Sequence, residues 1–244
     1  MIYAHNMGYP KTAVKQLEVL NSEKRLEFAK EFIRAKLTNQ KNYLRYLNKY
    51  HKNLSEEVEK IKKIIVKIKK ASSVEELMGY EGSCGNIYWQ GIGKVLNENN
   101  FRRITKGAKD TINSAFNYGY ALLYNKVQEA LVRAGLAVNI SFLHSLDNKP
   151  TLVFDMVEEF RTYVVDRAVV FALNKSGDID VNVDGRLTKN ARKRIVEEVN
   201  ERFASLHKYK NEKRSIEDII NLQAYTLAKA INEDKEYKAF VARF

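Results

Sequence analysis

The chain has 244 residues, a formal net charge of +12 and a single cysteine. This length can bury a sizeable core in one or two domains, and one cysteine excludes an internal disulfide framework. Only 2 Pro and 11 Gly punctuate a composition that is 45% hydrophobic and 30% charged, and the longest apolar runs are too short to span a bilayer. No secretory signal opens the sequence. We therefore expect a mainly helical protein of a reducing compartment such as the cytoplasm.

The positive charge is concentrated at the start of the chain. Residues 1–70 contain 17 Lys and Arg against 7 Asp and Glu. A basic arm of this kind favours a polyanionic partner, because each neutralised phosphate releases counterions. The alternative is a set of well-solvated lysine-rich helices, and "KIKKIIVKIKK" is also typical of a membrane-surface helix. The stripe of Val58, Ile61, Ile65 and Ile68 has the spacing of a face that packs on another helix, in the same chain or in a second copy.

The hydrophobic periodicity predicts helices along nearly the whole chain. Their expected ranges are about 22–50, 55–70, 73 onward, 110–133, 150–173, 188–206 and 215–232. Ser73 with Glu76 makes a capping box for the third helix, and Gly135 suits a helix C-terminus. "SGDIDVNVDG" (176–185) interrupts the pattern with alternation and a turn. We expect an all-α protein with at most one short β hairpin, divided into a basic helical arm (1–72) and a helical catalytic region (73–244), with one continuous domain as the alternative.

One histidine and a group of acids in the second half raise the question of a metal site. His144 ends one apolar run, and Asp155, Glu158 and Glu159 lie within two turns of the next predicted helix. Acids early in a helix favour the positive end of its dipole and usually face water. Alternatively, Asp155 and Glu158 share a helix face and could hold a divalent ion together with the histidine. Glu81 stands between two glycines, where close packing could hold its side chain in place.

Two other patterns are weaker. Asp180, Asn182 and Asp184 match the first half of a calcium loop, but Ala191 stands where the bidentate glutamate belongs, which favours an ordinary polar hairpin. Cys84 is flanked by small residues, which is more typical of tight helix packing than of a nucleophile.

The motifs "KLTNQKNYL", "MGYEGSCGNIYW", "NYGYALL", "SFLH", "LVFDMVEEFR", "VVDRAV" and "IINLQAYTLAKAI" occur in this order. As an ordered set they resemble the helical lobe of the CRISPR-associated integrase, a metal-dependent nuclease that inserts new spacers. The resemblance implies a multi-helix catalytic lobe in which Glu81, His144 and Glu158 bind the metal and Asp155 supports the site. The implied cofactor is a Mg or Mn ion.

The resemblance also implies a function and partners. The chain would be a metal-dependent DNA integrase and endonuclease of the prokaryotic cytoplasm that joins DNA 3′-hydroxyl ends to a CRISPR array by transesterification. Its partners would be double-stranded DNA (spacer precursor and repeat array), further copies of itself and a small acquisition protein, but no membrane. Candidate phosphate contacts are Arg102, Arg103, Lys106 and Arg161, with ordinary surface charge as the alternative.

The sequence departs from the family pattern in one respect that bears on assembly. Family members usually begin with a β-rich domain that forms the dimer, and residues 1–21 leave no room for it, so we expect helical surfaces to provide that contact. Two other classes of function stay open: a non-catalytic basic helical protein that binds nucleic acid, and a helical scaffold or membrane-surface module. Metal dependence and the salt dependence of DNA binding distinguish the three.

Overall fold

The computed structural model describes residues 9–51, 53–144, 149–175 and 179–244. Within these ranges the fold is all-α with one two-stranded hairpin, as predicted. The elements are α1 (Tyr9–Leu20), α2 (Lys24–His51), α3 (Ser55–Ile68), α4 (Val74–Val95), α5 (Thr111–Arg133), α6 (Thr151–Val157), a π-helix (Thr162–Asp166), α7 (Arg167–Lys175), α8 (Lys189–Ala204), β1 (Leu206–Tyr209), β2 (Glu212–Ser215) and α9 (Ile216–Asn232).

Short-range signals set most of the helix ends. The Ser73 side chain accepts a hydrogen bond from the Glu76 amide at the start of α4, and Asp110 caps α5 in the same way. The Glu76 carboxylate accepts a hydrogen bond from the amide of Ser72 instead of that of Ser73, so this capping box is shifted by one residue from the usual pattern. Gly135 follows α5 with φ of +76°, which a glycine adopts without strain.

The hairpin lies later in the chain than the sequence suggested. β1 and β2 pair antiparallel, with Leu206 opposite Ser215. Of the stretch 176–185, residues 176–178 lie outside the described residues, and the remainder makes only an isolated bridge between Val181 and Leu187. The Asn182 side-chain oxygen accepts two backbone hydrogen bonds within this turn. It therefore stabilises the turn, as the polar-hairpin interpretation expects.

The core is continuous from α1 to the last residues of the chain. α2 lies in its middle and contacts α1, α3, α4, α6 and the π-helix, while α5 contacts α6, α8 and α9. In the stripe on α3, Ile61 and Ile68 are buried and Val58 and Ile65 are partly buried. The stripe thus packs within the chain. The boundary at residue 72 stays a prediction, although Ala71 and Leu77 on either side of it belong to the same core.

The segment from α6 to α7 departs from a regular helix at its centre. A turn at residues 158–160 is followed by the π-helix, a geometry that often occurs at functional sites. Asp166 is buried at the end of the π-helix and accepts hydrogen bonds from the hydroxyls of Tyr88 on α4 (2.7 Å) and Tyr120 on α5. These bonds fix the segment between the two long helices and so fix the acids that precede it.

No helix among the described residues is both long enough and apolar enough to cross a membrane.

Candidate metal centre

The three acids of α6 and the following turn do not face water. Asp155, Glu158 and Glu159 have relative exposures of 0%, 3% and 0%. The interpretation of these residues as solvated acids near a helix start is therefore wrong, because the segment lies between α2 and α5 instead of on the surface. Buried carboxylates need hydrogen-bond donors or cations as partners. Each of the three has a different set of partners.

Asp155 organises the turn that carries His144. Its Oδ2 accepts hydrogen bonds from the amides of Phe142 (2.7 Å) and Leu143 (3.0 Å), and its Oδ1 accepts one from the amide of His144 (3.1 Å). The same Oδ1 lies 2.8 Å from Nδ1 of the His144 ring. One side chain of α6 thus fixes both the backbone of residues 142–144 and the orientation of the imidazole.

The hydrogen bond with Asp155 also fixes the tautomer of His144. A carboxylate only accepts, so Nδ1 carries the proton and the lone pair of a neutral ring is on Nε2. Nε2 makes no hydrogen bond with any described residue. Burial lowers the pKa of His144, but the bond to Asp155 outweighs it and the net shift is upward. A carboxylate that binds one ring nitrogen of a histidine and leaves the other free is the arrangement that supports metal-bound histidines.

Glu81 and Glu158 meet at a single ammonium group. The Nζ atom of Lys36 on α2 lies 2.8 Å from Oε2 of Glu158 and also contacts Oε1 of Glu81. This ammonium, rather than close packing around glycines, holds Glu81. The space beside Gly79 and Gly82 is open, since no atom of a described residue lies within 4 Å of the position that a Cβ would occupy. Two of the three predicted ligands therefore share one cation.

The second oxygen of Glu158 has a different partner. Its Oε1 accepts a hydrogen bond of 2.8 Å from Arg161. Burial by itself would raise the pKa of Glu158, but Arg161 and Lys36 lower it to about 2. Glu158 is therefore ionised at neutral pH, which a metal ligand requires.

The four predicted phosphate contacts fall into two groups. Arg102 and Lys106 are exposed in the irregular segment between α4 and α5. Arg103 and Arg161 instead lie near the ring of Tyr120, at 5.3 and 4.3 Å from its centroid. Arg103 also donates to two asparagine side chains of α5. The guanidinium groups of this second pair thus have partners within the chain, and DNA contacts for all four residues stay predictions.

Glu159 belongs to the fold and lies apart from the acids of the candidate site. Its carboxyl group hydrogen-bonds the hydroxyl of Tyr237 and the amide of Phe240 (2.6 Å), and burial raises its pKa to about 8. Asn39 donates a hydrogen bond to the carbonyl of Phe240 and accepts one from the amide of Ala242. Together these contacts attach the irregular residues 233–244 to α2 and to the turn after α6.

The described side chains fit a metal ion in their chemistry, although they are not assembled around one. Within the described ranges, no three His, Cys, Asp or Glu side chains are grouped as metal ligands. Glu158 Oε2, however, is buried, and its partner among the described groups is the Lys36 ammonium at 2.8 Å, which leaves the oxygen a second lone pair. A buried, ionised oxygen with a free lone pair, a second carboxylate on the same cation and an oriented histidine are suitable donors for a hard divalent ion.

The residue that the sequence analysis missed at this site is Lys36. It lies within the "KLTNQKNYL" motif, so the resemblance included it, but a lysine in a basic helix gives no signal of its own. The polar positions of α2 that face inward, Lys36, Asn39 and Gln40, are all buried. Only the structure shows that these three polar residues are buried, so the sequence alone gave no signal that distinguishes Lys36 from the other lysines of α2.

Comparisons with known proteins agree with the predicted family. The family model described as CRISPR associated protein Cas1 matches residues 1–201. The CRISPR-associated endonuclease Cas1 1 of Francisella tularensis subsp. novicida is 32% identical over 219 residues, covering 88% of this chain and 67% of that protein. The CRISPR-associated endonuclease Cas1 of Fusobacterium nucleatum is 32% identical over 238 residues, covering 93% of this chain and 70% of that protein.

The fold is also found in solved structures. A casposase bound to integration product superposes with a TM-score of 0.84 at 27% identity, covering 100% of this chain and 74% of that chain. A Cas1 protein from Thermotoga maritima superposes with a TM-score of 0.80 at 24% identity, covering 93% of this chain and 71% of that one. The sequence match over residues 1–201 and the two homologous endonucleases establish that this chain belongs to the Cas1 family of CRISPR-associated proteins.

Proposed function

We propose that this chain is a metal-dependent DNA strand transferase and endonuclease that joins DNA 3′-hydroxyl ends to a CRISPR repeat array during spacer acquisition. The observation that carries the proposal is the pair of the partly buried His144 and the buried Asp155 near Glu158, which shares a cation with Glu81. Membership of a family whose relatives are named as endonucleases supports it.

Glu81, Glu158 and Nε2 of His144 would hold the ion, and the mixture of carboxylate oxygens with one nitrogen suits magnesium or manganese. When bound, the ion supplies positive charge to the scissile phosphate and lowers the pKa of the attacking hydroxyl. Asp155 orients the imidazole, and Arg161 fixes one oxygen of Glu158 so that the other faces the site. Neither Asp155 nor Arg161 needs to touch the reacting atoms for this.

The reaction is an exchange of phosphodiesters. The 3′-oxygen of the incoming strand forms a bond to the target phosphorus while the bond from that phosphorus to its original 3′-oxygen breaks. The number of phosphodiester bonds is unchanged, so the step needs no nucleotide triphosphate. With water as the nucleophile in place of the 3′-hydroxyl, the same site would hydrolyse the phosphodiester and act as an endonuclease.

One face of α4 leaves room for DNA beside Glu81. At Gly79, Gly82 and Gly85, no atom in the described part of the chain lies within 4 Å of where a Cβ would be. A phosphate backbone could therefore approach the helix closely there. Arg102 and Lys106 are exposed and available for phosphates, and the excess of basic residues in 1–70 adds a sequence-independent attraction.

Insertion of a double-stranded segment needs two joining events, and hence two sites at a fixed separation. We therefore propose that the chain acts as a homo-oligomer on double-stranded DNA. A small acquisition protein is a further proposed partner, since one structural neighbour is described as a Cas6-RT-Cas1–Cas2 complex. The apolar stripe of α3 is used within the chain, so other surfaces would provide the contact between copies.

A strand-transfer assay tests the proposal. A labelled DNA duplex with free 3′-hydroxyl ends is incubated with a plasmid that carries a repeat array, with Mn²⁺ or with a chelator. We expect joined product only with the metal, and none from His144→Ala or Glu81→Gln. Glu98→Gln removes an exposed carboxylate and serves as the matched control with full activity. Circular dichroism and a gel-shift assay would establish that the inactive variants still fold and bind DNA.

The same assay separates the non-catalytic alternative. A basic helical protein that only binds nucleic acid would shift DNA equally with Mn²⁺ and with a chelator, and would join no ends under either condition. That outcome would refute the enzymatic proposal.

A further inference from the structure

Lys36 connects three elements of the proposed metal centre. It lies in the middle of α2 with only 9% of its side chain exposed. Its ammonium contacts Glu81 on α4 and lies 2.8 Å from Glu158 at the end of α6. A buried lysine between the buried carboxylate of Glu158 and the partly exposed one of Glu81 is costly to desolvate, so its position requires an explanation.

The charges at this point already cancel without a metal. Lys36 and Arg161 carry two positive charges, and Glu81 and Glu158 carry two negative ones. The two cations, however, bind differently. Arg161 donates a hydrogen bond to Glu158 Oε1 and lies over the ring of Tyr120, whereas the ammonium of Lys36 lies between Glu158 Oε2 and Glu81 Oε1. A carboxylate oxygen has two lone pairs, and one contact occupies only one of them. The oxygen that Lys36 covers keeps a lone pair for another cation.

We propose that Lys36 is a positioning residue whose ammonium stands in for the divalent ion in the metal-free protein and competes with that ion for Glu81 and Glu158. This inference rests on the proposed function, because it assumes that these two carboxylates are metal ligands. Without metal, Lys36 keeps the two carboxylates together and stabilises the fold. When the ion binds, the ammonium leaves the ligand oxygens.

The side-chain chemistry suits this role. Lysine is a point charge on a flexible four-carbon stem, so its ammonium can withdraw without moving α2. An arginine held by an aromatic ring and a hydrogen bond, such as Arg161, is less free to move. A positive charge within a few ångströms of the ion also weakens metal binding by repulsion. The same contact therefore stabilises the fold and lowers the affinity for the metal.

Equilibrium binding of Mn²⁺, followed by the electron paramagnetic resonance signal of the free ion, tests the inference on the full chain. We expect Lys36→Met to bind Mn²⁺ at least about tenfold more tightly than the wild type. Tenfold tighter binding corresponds to an extra rise of about 4 °C in melting temperature on adding Mn²⁺. Lys36→Arg keeps the charge and should show much less tightening. Lys30→Met is the matched control on the same helix, because this lysine is also partly buried but pairs with the exposed Glu27.

Each other outcome has a defined meaning. If folded Lys36→Met binds Mn²⁺ no more tightly than the wild type, the competition is refuted. If Lys36→Met and Lys36→Gln both fail to fold with a chelator, refolding upon addition of Mn²⁺ would support the shared role, and failure to refold would refute it. If the wild type and His144→Ala bind Mn²⁺ equally, the proposed metal centre itself fails. Loss of binding in His144→Ala without tightening in Lys36→Met would refute only the role of Lys36.

Discussion

Replacing Asp155 with Asn tests whether this carboxylate organises the candidate site. The wild-type side chain accepts four hydrogen bonds, two at each oxygen. Asparagine has the same shape but only one carbonyl oxygen, and its amide nitrogen donates. Whichever way the amide is oriented, one pair of donors keeps its acceptor. The other pair, either the amides of Phe142 and Leu143 or the amide and ring nitrogen of His144, then faces an NH₂ group.

The expected loss of stability follows from these two lost bonds. A buried donor that loses its acceptor costs about 1–3 kcal/mol, so two of them cost about 4 kcal/mol. For a chain of this length about 2–4 °C of melting temperature corresponds to each kcal/mol. The melting temperature of Asp155→Asn should therefore fall by about 10 °C.

The measurements are urea denaturation and thermal melting by circular dichroism, with Asp184→Asn as a control that changes an exposed carboxylate. The affinity for Mn²⁺ should fall about 10- to 100-fold, because His144 loses the partner that orients it. A loss of less than about 1 kcal/mol in Asp155→Asn would refute the view that Asp155 organises the turn. A large loss of stability with unchanged Mn²⁺ affinity would instead remove His144 from the ligand set.

Three further predictions concern the fold around the site. Gly119→Ala should lower the free energy of unfolding by about 1–3 kcal/mol in a denaturation experiment, because its Cβ would lie 2.8 Å from Val165 Cγ1. Gly79→Ala, on the open face of α4, should instead stabilise the protein by about 0.5–1 kcal/mol. Equal effects of the two substitutions would contradict this packing. Cys84 should resist iodoacetamide at pH 8 until the protein unfolds, since burial raises the pKa of its thiol to about 12, and rapid labelling of the native protein would show the thiol to be accessible. Burial and two nearby arginines lower the pKa of His207 in the folded protein. The imidazole therefore binds a proton more tightly in the unfolded chain, and the contribution of His207 to stability should fall as the pH drops below about 6.5. An NMR titration of His207 that gave an ordinary or raised pKa would contradict that sign.

The sequence by itself determined most of the helices, because the signals that begin and end them are local. It did not predict α1 (Tyr9–Leu20), nor the turn and π-helix that interrupt the expected helix over 150–173. Ser73 and Asp110 cap helices through bonds that span three residues, and Gly135 ends α5 through its own backbone freedom. The ordered motifs likewise contain Glu81, His144 and Glu158 without any knowledge of distance. The sequence was less reliable where an element depends on pairing, and the hairpin lies at Leu206–Ser215 instead of in 176–185.

Only the tertiary structure decided which partners the charged groups have. The position of Glu158 along the chain suits a solvated acid as well as a buried ligand, and it is buried because its segment packs between α2 and α5. Lys36 is 45 residues from Glu81 along the chain, yet their side chains touch. Hydrophobic periodicity identifies the face of a helix that is buried, but the residues opposite that face depend on how whole helices pack. The ammonium between Glu81 and Glu158 is a product of that packing, since three separate elements must meet to form it.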